Sequence, residues 1–342
     1  MRDLVRVAAL SVVLSAAGVG LAQQPQIVHA RLASKDASKG LAAEVEAAKR
    51  DEAAEWLGYS VPVVRGFHPG WNGGTAYLED HQRTYRDEPE DNGRSAAQAV
   101  VLLRVAEGGV EKIRVESPER ELDAGGLKFV WLSNVSGEDS VQVLTGLAQQ
   151  KDAKRLRDGA VFAIAVHALP GATQALVGLA AADNDLSLRE KAAFWLANQR
   201  GHEGLVAILK LAREDGDAAF REKLTFDLTL TKEPEAMAEL IRMAHEDSAT
   251  KVRQQAQFWM AEKGGKAVAG NLHAMAENDP ESSLRKSAVF AISRLPREEA
   301  TPQLIQLAQT GKDPVVRKQA VFWLGQSNDP KALDYLTQLL QR

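Results

Sequence analysis

The chain has 342 residues, a net charge of −4, 45% hydrophobic and 26% charged residues, enough for a domain plus a repeat array of ordinary globular make-up. So weak a negative balance does not point to a nucleic-acid partner, which needs a concentrated basic face to displace counterions from phosphates. Cysteine is absent, which excludes disulfides, thiolate zinc sites, iron–sulfur clusters, cysteine nucleophiles and a lipid-modified N-terminal cysteine.

Residues 1–22 read as a secretory signal peptide. Arg2 and Arg6 give a positive start, Val7 to Val19 is apolar apart from small residues, and Gly20-Leu21-Ala22 places small residues where a signal peptidase reads. The alternative is an uncleaved anchor, but the run is shorter than the ~20 residues a spanning helix needs. The expectation is a periplasmic or secreted protein with no membrane attachment after cleavage. Residues 23–39 are rich in Gln, Ala, Ser and Lys and are expected to form a flexible leader.

A small α+β domain is expected over 40–125. Leu41 to Leu57 is alanine- and glutamate-rich and predicts a helix, stopped by Gly58 and Pro62. Ser60 to Val64 is β-prone, His68 to Gly74 is a turn-rich loop, and Arg83 to Arg94 is polar. Ala99–Val105 and Val110–Val115, separated by Glu107-Gly108-Gly109, predict a β-hairpin. His68, Trp71, Tyr77, His81 and Tyr85 lie close in sequence, either lining a small-ligand site or forming a wedge against the first repeats.

From 126 onward the sequence repeats. Arginine recurs every 32 residues, at Arg157, Arg189, Arg221, Arg253, Arg285 and Arg317. The residue before it is always apolar. Three and seven residues after it stand Ala160 and Ile164, Ala192 and Leu196, and so on to Ala320 and Leu324, one face of a helix. A second stripe runs through Leu176, Ile208, Leu240, Leu272, Leu304 and Leu336, and Gly or Pro breaks the chain between the stripes. Each unit is helix, turn, helix, and buries its apolar faces only by stacking on its neighbours. The expected fold class is mainly α: a right-handed α-α superhelix carrying the small N-terminal α+β domain. Residues 126–149 match only the second half of a unit; with Gly125 and Gly126 in the arginine region, they predict a degenerate cap entered by a strand-like segment.

The last unit, Asp313 to Gln326 followed by Asp329-Pro330-Lys331-Ala332, resembles the short HEAT-like repeats first associated with phycobilisome lyases. The resemblance covers 126–342. It implies the solenoid fold and leaves function open, since such repeats serve as adaptor scaffolds, as bilin lyases and, in one branch, as an iron-dependent hydroxylase. A bilin lyase needs a cytoplasmic partner, which conflicts with an export signal. The hydroxylase branch holds iron with His-Glu pairs directly after the repeat arginine; here those sites are Glu190-Lys191 and Gln254-Gln255. His202-Glu203 and His245-Glu246 fall at other offsets, so repeat symmetry does not bring them together, and His167 and His273 are isolated.

Phenylalanine stands five residues after every arginine: Phe162, Phe194, Phe226, Phe258, Phe290 and Phe322. This position lies about 160° from the centre of the apolar stripe. Either each ring packs sideways on the next unit's first helix, or the rings form a ladder partly open to a partner. At the next position Trp131, Trp195, Trp259 and Trp323 alternate with Ala163, Asp227 and Ala291, a large–small alternation that reads as interdigitated packing. The arginines read as bridges to a carboxylate or carbonyl of the adjacent unit, with an anion-binding stripe as the alternative; Asp185, Asp217 and Asp313 read as helix caps. The functional expectation is a non-catalytic exported scaffold without cofactor. It would bind a protein or peptide on a concave face lined by second-helix side chains. The alternative is a small-molecule binder or enzyme with its site in the N-terminal domain.

Overall fold

A computed structural model describes residues 24–341 apart from 52, 68–73, 80–95 and 152. The signal segment, the stretch from Arg83 to Arg94, and His68, Trp71, His81 and Tyr85 lie outside the described residues. No described helix is long and apolar enough to cross a membrane.

The segment expected to be a leader supplies two strands, β1 (Ile27–Val28) and β2 (Arg31–Asp36). The helix expected to reach Leu57 stops early: α1 covers Leu41–Lys49, and β3 covers Glu55–Pro62. Gly58, read as a helix stop, lies inside β3, where an added Cβ would come within 2.6 Å of the Phe129 ring. Glycine there lets the aromatic ring lie flat on the strand. Then follow β4 (Thr75–Tyr77), β5 (Gln98–Ala106), β6 (Gly109–Glu116), β7 (Glu121–Asp123) and β8 (Lys128–Ser133). β5 and β6 form the expected hairpin; Glu107 and Gly108 both take positive φ, as a two-residue turn of the primed type requires.

Five strands order as β2-β8-β3-β5-β6, and β1-β7-β4 form a smaller sheet. The large sheet is buried on both faces. Leu57, Tyr59, Val101, Leu103 and Val130 pack with the helices. Trp56, Leu102, Phe129 and Trp131 pack with Leu78, Leu122 and Ala124 on the side of the small sheet. Double burial explains why β5 reads as a nearly unbroken apolar run.

β8 is the strand-like entry of the cap, and its place in the large sheet moves the end of the α+β domain past residue 125. Helix α2 (Gly137–Ala148) completes the cap, with Ser136 accepting from the Asp139 amide at its start. Six helix pairs follow. Their first helices are α3 (Lys154–Val166), α5 (Leu186–Gln199), α7 (Ala218–Asp227), α9 (Thr250–Gly264), α11 (Ser282–Ser293) and α13 (Pro314–Gln326). Their second helices are α4 (Pro170–Leu179), α6 (Gly201–Glu214), α8 (Pro234–Glu246), α10 (Ala269–Asn278), α12 (Arg297–Thr310) and α14 (Pro330–Leu340). The apolar stripes are buried along this array except in α14, where Leu336 is half-buried, and one core runs from the sheet into the repeats.

A neutral hydrogen-bond chain joins the two parts. His167 Nδ1 lies 2.6 Å from the Ala163 carbonyl, which can only accept, so Nδ1 carries the proton. Nε2 then accepts from Ser140 Oγ at 2.9 Å, and Ser140 Oγ accepts from Tyr59 hydroxyl at 2.8 Å. Val64 and Ala168 amides add backbone bonds across the same seam, to Val166 and Pro62 carbonyls. Burial holds His167 down to about 4. The folded state therefore keeps the ring neutral while the unfolded chain titrates near 6.5, so stability is full above ~6.5 and is lost as pH falls from there towards 4. Ser140→Ala strands two buried partners and should lower unfolding stability by about 1–3 kcal/mol, read from denaturant midpoints. The loss on acidification between pH 6.5 and 4 should largely persist in the variant, because burial and then the Arg200 charge hold His167 down; a midpoint unchanged by the substitution would refute this account.

Candidate functional site

The first helices repeat one electrostatic clip. Arg157 Nη2 reaches Asp185 at 2.5 Å, and Arg189 reaches Asp215 and Asp217 at 2.6 and 3.2 Å. Arg221 makes a two-pronged bridge to Asp247, Nε to Oδ2 at 2.8 Å and Nη2 to Oδ1 at 2.9 Å. Arg253 pairs with Glu281, and Arg285 with Asp313 at 2.7 Å. Each acid belongs to the start of the next unit, and Asp185, Asp217 and Asp313 also cap their helices as expected. Arg317 binds the Gly311 and Lys312 carbonyls instead. Five of the six repeat arginines are thus engaged in joining units.

The phenylalanines pack at one edge and stay partly open to solvent at the other. Phe162, Phe194, Phe258 and Phe290 are half-buried, while Phe226 is 37% and Phe322 51% exposed. Their inner edges pack on the tryptophan of the following unit: Phe162 on Trp195 at 4.7 Å, Phe226 on Trp259 at 5.1 Å and Phe290 on Trp323 at 5.1 Å between ring centres. Phe258 and Phe290 stack at 6.2 Å with planes 9° apart. Phe67, from the N-terminal domain, meets Phe162 at 6.2 Å. Trp195, Trp259 and Trp323 are only half-buried, so they are members of this surface ladder rather than deep core. The indole N–H groups of Trp259 and Trp323 have no hydrogen-bond partner among the described residues. Trp131 falls outside the ladder; it lies in β8 between the two sheets.

Ring-to-ring contact stops between Phe194 and Phe226. In that gap Asp227 occupies the tryptophan position. By size it belongs with Ala163 and Ala291, yet it is a carboxylate only 4% exposed, with no hydrogen-bond partner among the described residues. Burial, and then the charge of Glu190, push it up to about 8, against the opposing charge of Lys223. A groove of about 560 Å³ opens over it, walled by Phe194, Phe226 and Trp259. Its charged rim holds Lys154 and Asp158 on α3, Glu190 and Lys191 on α5, and Glu222 and Lys223 on α7. Lys191 and Asp158 pair at 3.6 Å. A second groove, of about 440 Å³, lies between Phe258 and Phe290. Both are lined by first helices. Large side chains on the first helices, outside the packed stripe, create these hollows.

The His-Glu pairs do not meet. His202 Nδ1 lies 2.6 Å from Glu233, Glu203 accepts from Thr173 at 3.0 Å, and His245-Glu246 close α8. Among the described residues no three His, Asp or Glu side chains converge as metal ligands. In the N-terminal domain Tyr77 lines an open hollow of about 610 Å³ with Leu78, Glu79, His29 and Asp123, His29 Nδ1 lying 2.8 Å from Asp123.

Residues 270–342 match the family of HEAT repeats. No curated protein matches the sequence. Similar solved structures include human deoxyhypusine hydroxylase in complex with glycerol, 17% identical over 59% of this chain and 89% of that one, with a TM-score of 0.32. Another is the complex of CpcE and CpcF of phycocyanin lyase from Nostoc sp. PCC7120, 20% identical over 46% of this chain and 99% of that one, with a TM-score of 0.35. A third is the Kap95:Nup1 complex, 14% identical over 61% of this chain and 34% of that one, with a TM-score of 0.40. The segment 270–342 is thus similar to HEAT repeats, and the helix pairs before it keep the same 32-residue register.

Proposed function

We infer that the chain is an exported, non-catalytic scaffold that binds a protein or peptide along the first-helix face of a right-handed HEAT superhelix. One observation carries this reading: the aromatic ladder is half-open, with Phe226 and Phe322 exposed on it. Large aromatic side chains left on a contiguous surface favour a partner, because covering them releases apolar surface from water. Phe226→Ala with Phe322→Ala should reduce capture of the partner about ten-fold in photocrosslinking from the exported fraction. The melting temperature should fall only modestly, by the loss of the Phe226 contact with Trp259 and the Phe322 contact with Trp323. A large fall in melting temperature with undiminished capture would overturn the reading.

The hollow of His29, Tyr77 and Asp123 favours the second reading, a small-molecule site in the N-terminal domain supported by the repeats. Under that reading Tyr77→Ala abolishes ligand binding while the Phe226 and Phe322 variants bind normally.

A further inference from the structure

The groove over Asp227 is where the ladder departs from its own rule. Five of the six units carry Ala or Trp at this register, and one carries an acid that is buried without a hydrogen bond among the described residues. A buried carboxyl with open aromatic walls is unsatisfied on its groove side and is completed by a donor that arrives from outside.

Resting on the scaffold reading above, the geometry points to this groove as a subsite for the lysine side chain of a peptide partner, its ammonium meeting the Asp227 carboxylate and its stem lying against Phe194, Phe226 and Trp259. Three features select that chemistry. Asp227 and Glu190 share one potential that a cation relieves. The aromatic faces attract cations and bury methylenes. A compact ammonium on a long flexible stem reaches a single recessed carboxyl better than a planar guanidinium, whose fork suits an accessible bidentate partner. On the rim Lys191 is held by Asp158, leaving Lys154 and Lys223 against Glu190, Glu222 and Asp227, so the balance at the groove is anionic once Asp227 ionises.

Binding then carries a proton signature. The carboxyl is largely protonated at pH 7, and pairing with an ammonium returns it to the carboxylate, so binding releases a proton and strengthens as pH rises from 6 to 8.5.

The test uses the full chain with two probes, acetyl-glycyl-lysyl-glycinamide and the same peptide acetylated on the lysine Nε. Calorimetry in buffers of differing ionisation enthalpy and saturation-transfer NMR at millimolar peptide read the outcome. The lysine peptide should bind with net proton release at pH 7 and at least about ten-fold more tightly at pH 8.5 than at 6, in the sense set by linkage. The acetylated peptide should bind at least about ten-fold more weakly, as should the lysine peptide to Asp227→Asn, and that variant should show no proton release. Equal binding of both peptides, undiminished binding by Asp227→Asn, or no binding of the lysine peptide at all overturns the subsite. Failures are separable: if Phe226→Ala abolishes partner capture while Asp227→Asn leaves it intact, the subsite is wrong and the aromatic face stands; if neither substitution matters, both are wrong.

Discussion

Replacing Arg221 with leucine should destabilise the middle of the array by about 3–5 kcal/mol, the loss expected when one partner of a buried ion pair is removed. Asp247 is 6% and Arg221 8% exposed, and both prongs of the guanidinium are used. Burial alone would push the Asp247 carboxyl up; hydrogen bonds and charge from Arg221, with the Ala249 amide, hold it below the usual carboxylate range instead. Deleting the cation leaves that acid uncompensated against the next unit, and it also frees the Asp215 carbonyl. The same substitution at Arg317 should cost far less, about 1 kcal/mol, because only backbone carbonyls of its own unit accept there. Arg157→Leu should fall between, since Asp185 is largely open to water. Urea melts followed by amide exchange in α7 and α8 would rank the three. Equal losses at all three sites would show that the arginine stem, not the ion pair, carries the effect. Adding Asp247→Leu to Arg221→Leu should recover a good part of the loss, because the stranded charge is then gone.

Those clips were legible in the sequence because a solenoid repeats its physics. A bridge that serves one interface serves the next, so six arginines at one spacing already describe it. The phenylalanine ladder was legible for the same reason, though not its exposure, which depends on how far the following tryptophan covers each ring. The N-terminal domain was read less well. β1 and β2 pair in parallel with β7 and β8, some ninety residues away, and no local pattern in a Gln-, Ala- and Lys-rich stretch announces a distant partner. Leu41 to Leu57 has one alanine-rich composition but two environments: α1 lies on the sheet, and Glu55 onward enters it between β8 and β5. Tertiary pairing overrides helix propensity there. Asp227 is the instructive miss. Counted by size, it fits the small half of the alternation; counted by charge, it is the single ionisable residue at a register that otherwise holds Ala or Trp. A periodic array makes such a departure visible, and the departure marks the groove.

Asp227 should also make the protein more stable when it is removed. A carboxyl that titrates at about 8 in the folded chain and near 3.9 in the unfolded chain favours folding fully only below ~4. The folded state holds its proton more tightly, so that stabilisation is lost progressively as pH rises from 4 and is gone once pH passes 8. At pH 7 the buried acid therefore sets stability on the order of 4 kcal/mol below its acid-side level. Asp227→Ala places at this register the residue found at Ala163 and Ala291, both fully buried in their own units. The variant should resist urea better than the parent at pH 7 and better still at pH 9, with the two curves converging near pH 4. Asp227→Asn, which keeps the size and removes the charge, should show the same pH-independence with a smaller gain, because its amide is still buried without partners. Parallel pH profiles for parent and variants would mean that the carboxyl is hydrated or paired in the folded chain. A stabilising substitution that at the same time abolishes lysine-peptide binding would identify the acid as a residue kept against the interest of folding.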